Sequence, residues 1–272
     1  MLIITALRET AWEWSCQYAL RWKFGVRRWT IVTLHHCDSA MLEEFCQWAA
    51  KHYEFVSLTE GSKRIHDTSL RRPMISVTYD DGDHSVFETA MPIHQKLGIP
   101  ATVFVCPDWA SRGKAFHDNE KTRESMTWAQ LRAWEESGLN VGGHTMNHIP
   151  LTMSSLARAQ WEILECTRRI EEELGCAVRS FAYPWGLYTT EITRWLEESK
   201  LFDAVLTCEE KDTYPSHTGI HFGRRPFEFT QDRRSKQFRP QPLVTLLRRC
   251  LYQRIQAQVA PKTFTMDRFK SE

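Results

Sequence analysis

The sequence predicts an α/β protein in one domain, built on a parallel sheet or barrel. Three observations carry that expectation. Short apolar, β-branched runs alternate along the chain with longer stretches of helical periodicity. Polar clusters stand where several of those runs stop, and the C-terminal ends of strands are where α/β barrels carry their chemistry. With 42% hydrophobic and 25% charged residues over 272 positions, the composition is that of a globular chain, and collagen-like, disordered and coiled-coil classes are excluded.

Residues 2–24 carry apolar side chains at Leu7, Ala11, Trp14, Tyr18 and Trp22, a helical stripe that Gly25 is placed to end. The run 29–36, WTIVTLHH, reads as a buried strand ending in two histidines. A helix follows over 40–52 and a short strand over 55–58. MISVTYDDG (74–82) is a β-branched run stopped by a polar, glycine-containing turn. Helix 85–97 and strand 101–105 complete a strand–helix–strand unit. Helix 127–137, strand 139–144, helix 154–174, the segment SFAYPWG (180–186), helix 189–199, strand 202–207 and a short strand near 220–225 extend the series. No repeat, low-complexity stretch or Gly/Ser linker divides the chain.

The net charge is +1, with no global pull toward nucleic acid. From Arg224 to the end, however, 12 Lys/Arg face 4 Asp/Glu. Residues 243–259 there form a basic amphipathic helix, with Leu243, Leu247, Leu251 and Ile255 on one face and Arg248, Arg249 and Arg254 off it. Such a helix, with the Trp-rich first one, suits peripheral contact with an anionic membrane; packing both against the barrel wall is the commoner arrangement and the preferred one. Eight scattered cysteines without a CxxC point to reduced thiols. No secretory signal pattern or spanning apolar stretch is present, so the expected location is the cytoplasm, with the inner membrane face as a peripheral option.

Three polar clusters sit at strand ends. In Asp80-Asp81-Gly82, two adjacent carboxylates should not share a role, because like charges push their protonation apart; one metal ligand and one general base is the economical division. In His144-Thr145-Met146-Asn147-His148, an i, i+4 pair on a helical turn would face one cation, and Gly142-Gly143 permit close backbone approach. Asp with two His leaves coordination positions open, as catalytic sites do. In Phe181-Ala182-Tyr183-Pro184-Trp185-Gly186, a rigid aromatic turn would suit a sugar ring, with a backbone N–H for an oxyanion.

VTYDDG, HTMNH and FAYPWG, in this order and separation, resemble the first three motifs of the polysaccharide deacetylases, carbohydrate esterase family 4, over roughly residues 29–227. The resemblance implies a distorted (β/α) barrel with a partly open parallel sheet. The domain layout is then an N-terminal amphipathic helix over 1–28, the catalytic barrel over 29–242, and a basic C-terminal helix and tail over 243–272. It implies metal-dependent removal of an acetyl group from a carbohydrate. Asp80 is then the general base, Asp81, His144 and His148 the metal ligands, and Tyr183, Pro184, Trp185 and Gly186 the substrate groove, with a backbone N–H near Trp185 in the oxyanion hole.

Two departures stand out. Ala182 occupies the position where the family's third motif usually carries an arginine; Arg224 or Arg225 could supply that charge, and Arg225 is preferred. The late Leu-x-His motif that provides the general acid is not evident after residue 186. Some family members are circularly permuted with that histidine on an N-terminal strand, and His35 fits that variant, with His221 as rival. Zinc is the expected metal, cobalt or nickel being compatible with the same ligands. The expected substrate is an N-acetylhexosamine in a polysaccharide or lipid-linked glycan precursor. The competing readings are a deacylase of a small non-carbohydrate amide and a catalytically weak carbohydrate-binding protein on the same scaffold.

Overall fold

The computed structural model describes residues 27–35, 39–112, 115–118 and 121–226. The amphipathic helices expected within 1–28 and 243–272 lie outside these residues, apart from Arg27 and Arg28. Among the described residues the elements run β1 (Trp29–Leu34), α1 (Ser39–His52), β2 (Glu54–Phe55), α2 (Leu58–Arg64), β3 (Met74–Tyr79), α3 (Met91–Leu97), β4 (Ala101–Val105) and α4 (Pro107–Arg112). They continue with β5 (Ala115–Asp118), β6 (Lys121–Glu124), α5 (Trp128–Glu136), β7 (Asn140–Gly143), α6 (Leu156–Leu174), β8 (Ser180–Ala182), α7 (Thr190–Ser199), β9 (Ala204–Leu206), β10 (His221–Phe222) and β11 (Arg225–Pro226).

Nine strands form one parallel sheet in the order β10-β9-β8-β7-β4-β3-β1-β11, with β2 also on β3. β10 and β11 stand at opposite ends of that order, yet only Gly223 and Arg224 separate them. Three extended residue steps reach about 11 Å at most. The two edges must therefore curl toward each other, which makes the sheet a distorted, incompletely closed (β/α) barrel.

Side-chain alternation gives the curled sheet two faces. Trp29, Ile31, Met74, Phe104, Ala182 and Leu206 pack with Leu58 and Ile65 inside the barrel. Val32, Val77, Val103, Phe181 and Val205 pack outward against helical residues such as Phe45, Leu131 and Ile163. Polar side chains on the inner face are satisfied: Trp29 Nε1 donates to Ser76 Oγ at 2.9 Å, and Thr78 Oγ1 to the Val32 carbonyl at 2.8 Å. Gly142 is required here, since a Cβ would lie 2.4 Å from the Phe104 ring.

The structure departs from the sequence expectations in several elements. The strand expected over 55–58 stops at Phe55, because Ser57 caps α2 by accepting the Glu60 N–H. The helix expected from 85 opens with a π-helical turn, Val86–Ala90, before α3. α4 and the antiparallel β5–β6 pair were not expected. The single strand near 220–225 is two strands on opposite edges.

Candidate metal centre and active site

The strand ends gather the three polar clusters at one mouth of the barrel. Ser76, Thr78 and Asp80 alternate onto the inner face, so Asp80 points into the barrel just past β3. Asp81 then turns away through a left-handed backbone (φ 69°), with Gly82 also left-handed (φ 65°). β7 delivers His144 to the same level, and its main-chain N–H bonds the Val105 carbonyl at 3.0 Å.

The segment 144–148 is a loop and not the helical turn expected from its i, i+4 spacing. Thr145 (φ 64°) and His148 (φ 52°) are left-handed, and that double reversal brings the second histidine back beside the first, their ring centroids 5.0 Å apart. Asp81 Oδ1 lies 3.5 Å from His144 Nε2 and 3.4 Å from His148 Nε2. Two ligands each about 2.1 Å from one cation at a tetrahedral angle stand roughly 3.4 Å apart, so the spacing suits a shared divalent ion. His144 Nδ1 is 2.8 Å from the Ala182 carbonyl, which makes Nδ1 the protonated nitrogen and aims the Nε2 lone pair at Asp81. No other group of three such side chains converges among the described residues.

Electrostatics agree with a cation-seeking site. Burial pushes the Asp81 carboxyl up, but hydrogen bonding and charge from His144 and His148 hold it below its ordinary value. Burial works against charge on His144, yet the contact with Asp81 raises its proton affinity. His148, buried and facing His144, is pushed down to about 4.

Beside these three side chains, Asp80 is clasped by Arg224: Nη1 to Oδ1 at 2.6 Å and Nη2 to Oδ2 at 2.9 Å, both side chains buried. Burial raises the Asp80 carboxyl, but the Arg224 charge, His144 and the two hydrogen bonds outweigh it and hold it well below the usual carboxylate range. Arg224 also reaches the Thr207 carbonyl and Thr33 Oγ1, each at 3.2 Å, and lies over the Phe104 ring. The expectation that Arg225 is the partner is corrected. Arg225 pairs in register with outward-facing Val32, and its Nε bonds Asp212 at 2.7 Å. Arg224, one residue earlier at the barrel closure, has the inward parity.

His35 is exposed at the end of β1, next to Leu34, whose carbonyl accepts the Asp80 N–H at 3.0 Å. It lies near enough for its charge to lower the proton affinity of Asp80, Asp81 and His148. His221 belongs to the other face: its Nε2 is 3.0 Å from Tyr183 Oη and its Nδ1 3.3 Å from Glu197 of α7.

The aromatic turn is only partly as expected. Tyr183 and Pro184 are buried, and Tyr183 shares the outward parity of Phe181, its ring packing on Phe181, Tyr188 and His221. They are therefore support and not groove wall. Trp185 is 46% exposed, in a left-handed conformation (φ 53°), its ring 4.2 Å from that of His148. Gly186 is half-buried beside Cys208, whose Cβ a side chain at 186 would meet at 2.5 Å. Sequence reasoning missed Trp109 of α4, whose ring also lies 4.8 Å from that of His148; nothing local in PDWASR marks it.

Comparison with known proteins follows the same line. A family model described as polysaccharide deacetylase matches residues 67–201. The chain is 28% identical over 130 residues to the chitooligosaccharide deacetylase of Rhizobium leguminosarum bv. phaseoli, covering 47% of this chain and 51% of that protein. It is 24% identical over 149 residues to YxkH of Bacillus subtilis, covering 54% and 50%. The chain thus spans about half the length of the curated relatives it matches. Among solved structures, the deacetylase PplD of Streptococcus pyogenes superposes with TM-score 0.65 at 18% identity, over 78% of this chain and 99% of that one. IcaB from Ammonifex degensii superposes with TM-score 0.66 at 22% identity, over 74% and 92%. At these identities the structural likeness speaks for the fold alone.

Proposed function

The chain belongs to the polysaccharide deacetylase family, and on that premise we propose that it is a metal-dependent hydrolase. It removes the N-acetyl group from an N-acetylhexosamine in a polysaccharide or lipid-linked glycan precursor. The observation that carries this reading is the convergence of Asp81, His144 and His148 on one point beside a buried Asp80–Arg224 pair. Residues 29–242 are read as the catalytic unit.

Asp81, His144 and His148 would hold one divalent cation, most simply zinc, with cobalt or nickel fitting the same donors. When bound, such an ion polarises the acetyl carbonyl and lowers the pKa of water in the site. Asp80, kept ionised by Arg224, accepts the proton from the water that adds to the carbonyl carbon. Arg224 holds both carboxylate oxygens, so Asp80 keeps one orientation through the step. The Trp185 backbone N–H supplies a donor to the oxygen that becomes negative. His35 gives its proton to the sugar nitrogen as the C–N bond breaks, releasing acetate and a free amine. His221 is not used, since both of its ring nitrogens face Tyr183 and Glu197. Trp185 offers an exposed apolar face to the sugar ring, and Trp109 packs on the same His148.

The test is acetate release from N-acetylglucosamine oligomers by wild-type and Asp80→Asn protein. Release by wild type and its loss in Asp80→Asn support the reading. Release that survives Asp80→Asn removes Asp80 as the base, and turnover of simple amides in preference to the sugars moves the substrate away from carbohydrate.

A further inference from the structure

The loop that carries both histidines is built from strained pieces. Thr145 and His148 are non-glycine residues in the left-handed region, a conformation that persists only where the surroundings over-determine it. The loop also has no helical or strand hydrogen bonding of its own between 144 and 148. Its geometry must be imposed from outside.

The restraint converges on one residue of α6. Glu162 is a fully buried carboxylate, 0% exposed, in the middle of the helix. Its Oε2 accepts the backbone N–H of Asn147 at 3.0 Å, and its Oε1 accepts Asn147 Nδ2 at 2.9 Å. Its main-chain carbonyl accepts the N–H of Met146 at 3.1 Å. One helical residue therefore holds two of the three loop positions between the two histidines, Met146 and Asn147. Arg158, one turn earlier and half-exposed, supplies the only ion pair to the carboxylate among the described residues, at 2.6 Å. The other side of the loop is pinned more lightly: Cys106 Sγ donates to the His144 carbonyl at 3.0 Å, and the Asp108 N–H to the Met146 carbonyl at 3.2 Å.

A buried carboxylate in a helix facing the core costs desolvation that an apolar side chain would avoid. Its bonds run to the ligand loop, and the 144–148 segment cannot take its double reversal without partners for the 146 and 147 N–H groups. We infer that Glu162 is the positioning residue of the metal centre: it clasps Asn147 and so sets the spacing of His144 and His148. This inference rests on the reading of Asp81, His144 and His148 as metal ligands. Metal affinity then depends on Glu162, although it touches no cation itself, and removal of comparable outer partners weakens metal binding about 10- to 100-fold.

The test uses the full chain, stripped of metal and titrated with cobalt(II), followed by visible absorption and by competition with a chromophoric chelator. Glu162→Gln keeps shape but replaces one acceptor by a donor, so that in either orientation one of the two Asn147 donors faces an NH2 group. Asn147→Ala deletes only the Nδ2 bond and carries the test if Glu162→Gln does not fold. The expected result is cobalt binding weakened about 10- to 100-fold in Glu162→Gln and by a smaller factor in Asn147→Ala. Shifted cobalt bands should accompany it, with the metal-free thermal midpoint of Asn147→Ala near wild type. A residue that merely fills the core would lower the metal-free midpoint and leave the cobalt spectrum and affinity of the folded protein unchanged. That outcome overturns the inference and leaves the ligand assignment standing. If wild type itself binds no cobalt, the ligand assignment fails and the inference fails with it.

Discussion

Replacing Arg224 by Met should be the most informative single change outside the ligands, because it leaves a buried carboxylate without its partner. Arg224 and Asp80 make two charge-assisted hydrogen bonds of 2.6 and 2.9 Å, with side-chain exposures of 0% and 6%. Breaking one side of such a buried pair costs about 3–5 kcal/mol, most of it the penalty of the stranded charge. In a domain of this size that is a fall of roughly 6–20 °C in thermal midpoint. The pH dependence follows from the direction of the shift. In wild type the folded Asp80 carboxyl sits below its unfolded value, so the pair contributes its stability above about pH 4 and loses it only as pH falls through the folded value. In Arg224→Met, burial works against the ionised carboxyl with its largest opposing charge gone, so the penalty is greatest at neutral pH and fades as acid protonates it. Urea unfolding of Arg224→Met, Asp80→Asn and the double variant from pH 8 to pH 4 measures this. The double variant should recover most of the lost stability and none of the activity. Additive losses in the double variant, or a deficit in Arg224→Met independent of pH, would refute the reasoning.

Three further outcomes follow from the same geometry. His94 is buried, its Nδ1 3.0 Å from the Ile99 carbonyl and its Nε2 2.8 Å from Tyr79 Oη, and burial holds it down to about 4. A group depressed in this way costs stability as pH falls from its unfolded value near 6.5 to about 4, so the acid loss in urea titrations should be about 3 kcal/mol larger in wild type than in His94→Gln, which keeps the share due to His148. Trp185→Ala should raise KM for oligomeric substrate about fivefold, corresponding to about 1 kcal/mol of lost ring contact, with little change in thermal midpoint; an unchanged KM would remove Trp185 from the groove. His35→Ala should lower kcat by about 10²- to 10⁴-fold with metal affinity near wild type, while His221→Ala should leave kcat within a few-fold; the opposite pattern would reverse the assignment of the acid.

What the sequence discloses and what it hides divide along physical lines. Strand 101–105 is found with its bounds, and 74–79 and 29–34 with theirs nearly so, because β-branched runs buried on both faces leave a local signature. The Ser57–Glu60 spacing is a helix-start signal that competes with the apolar Phe55-Val56 pair, and in the structure the cap at Ser57 ends the strand. His144 and His148 meet as expected, but by two left-handed residues and a clasp from Glu162, fifteen residues away in the chain and invisible to spacing rules. Strand alternation from Phe181 places Tyr183 on the outward face, so its burial is legible in the sequence. The choice of Arg224 over Arg225 was not legible: it depends on which two edges of the sheet approach at the closure, a property of the whole barrel. Trp109 is likewise assigned only by the fold, since α4 meets His148 through long-range packing.

The central claim is that acetate release depends on one divalent cation held by Asp81, His144 and His148. Metal-stripped protein titrated with zinc, with acetate release from N-acetylglucosamine oligomers followed at each addition, tests it most directly. Activity absent after stripping, rising to a plateau at one equivalent in wild type and absent throughout in His148→Ala, is the predicted result. Undiminished activity in stripped protein, or a normal titration in His148→Ala, would contradict the claim.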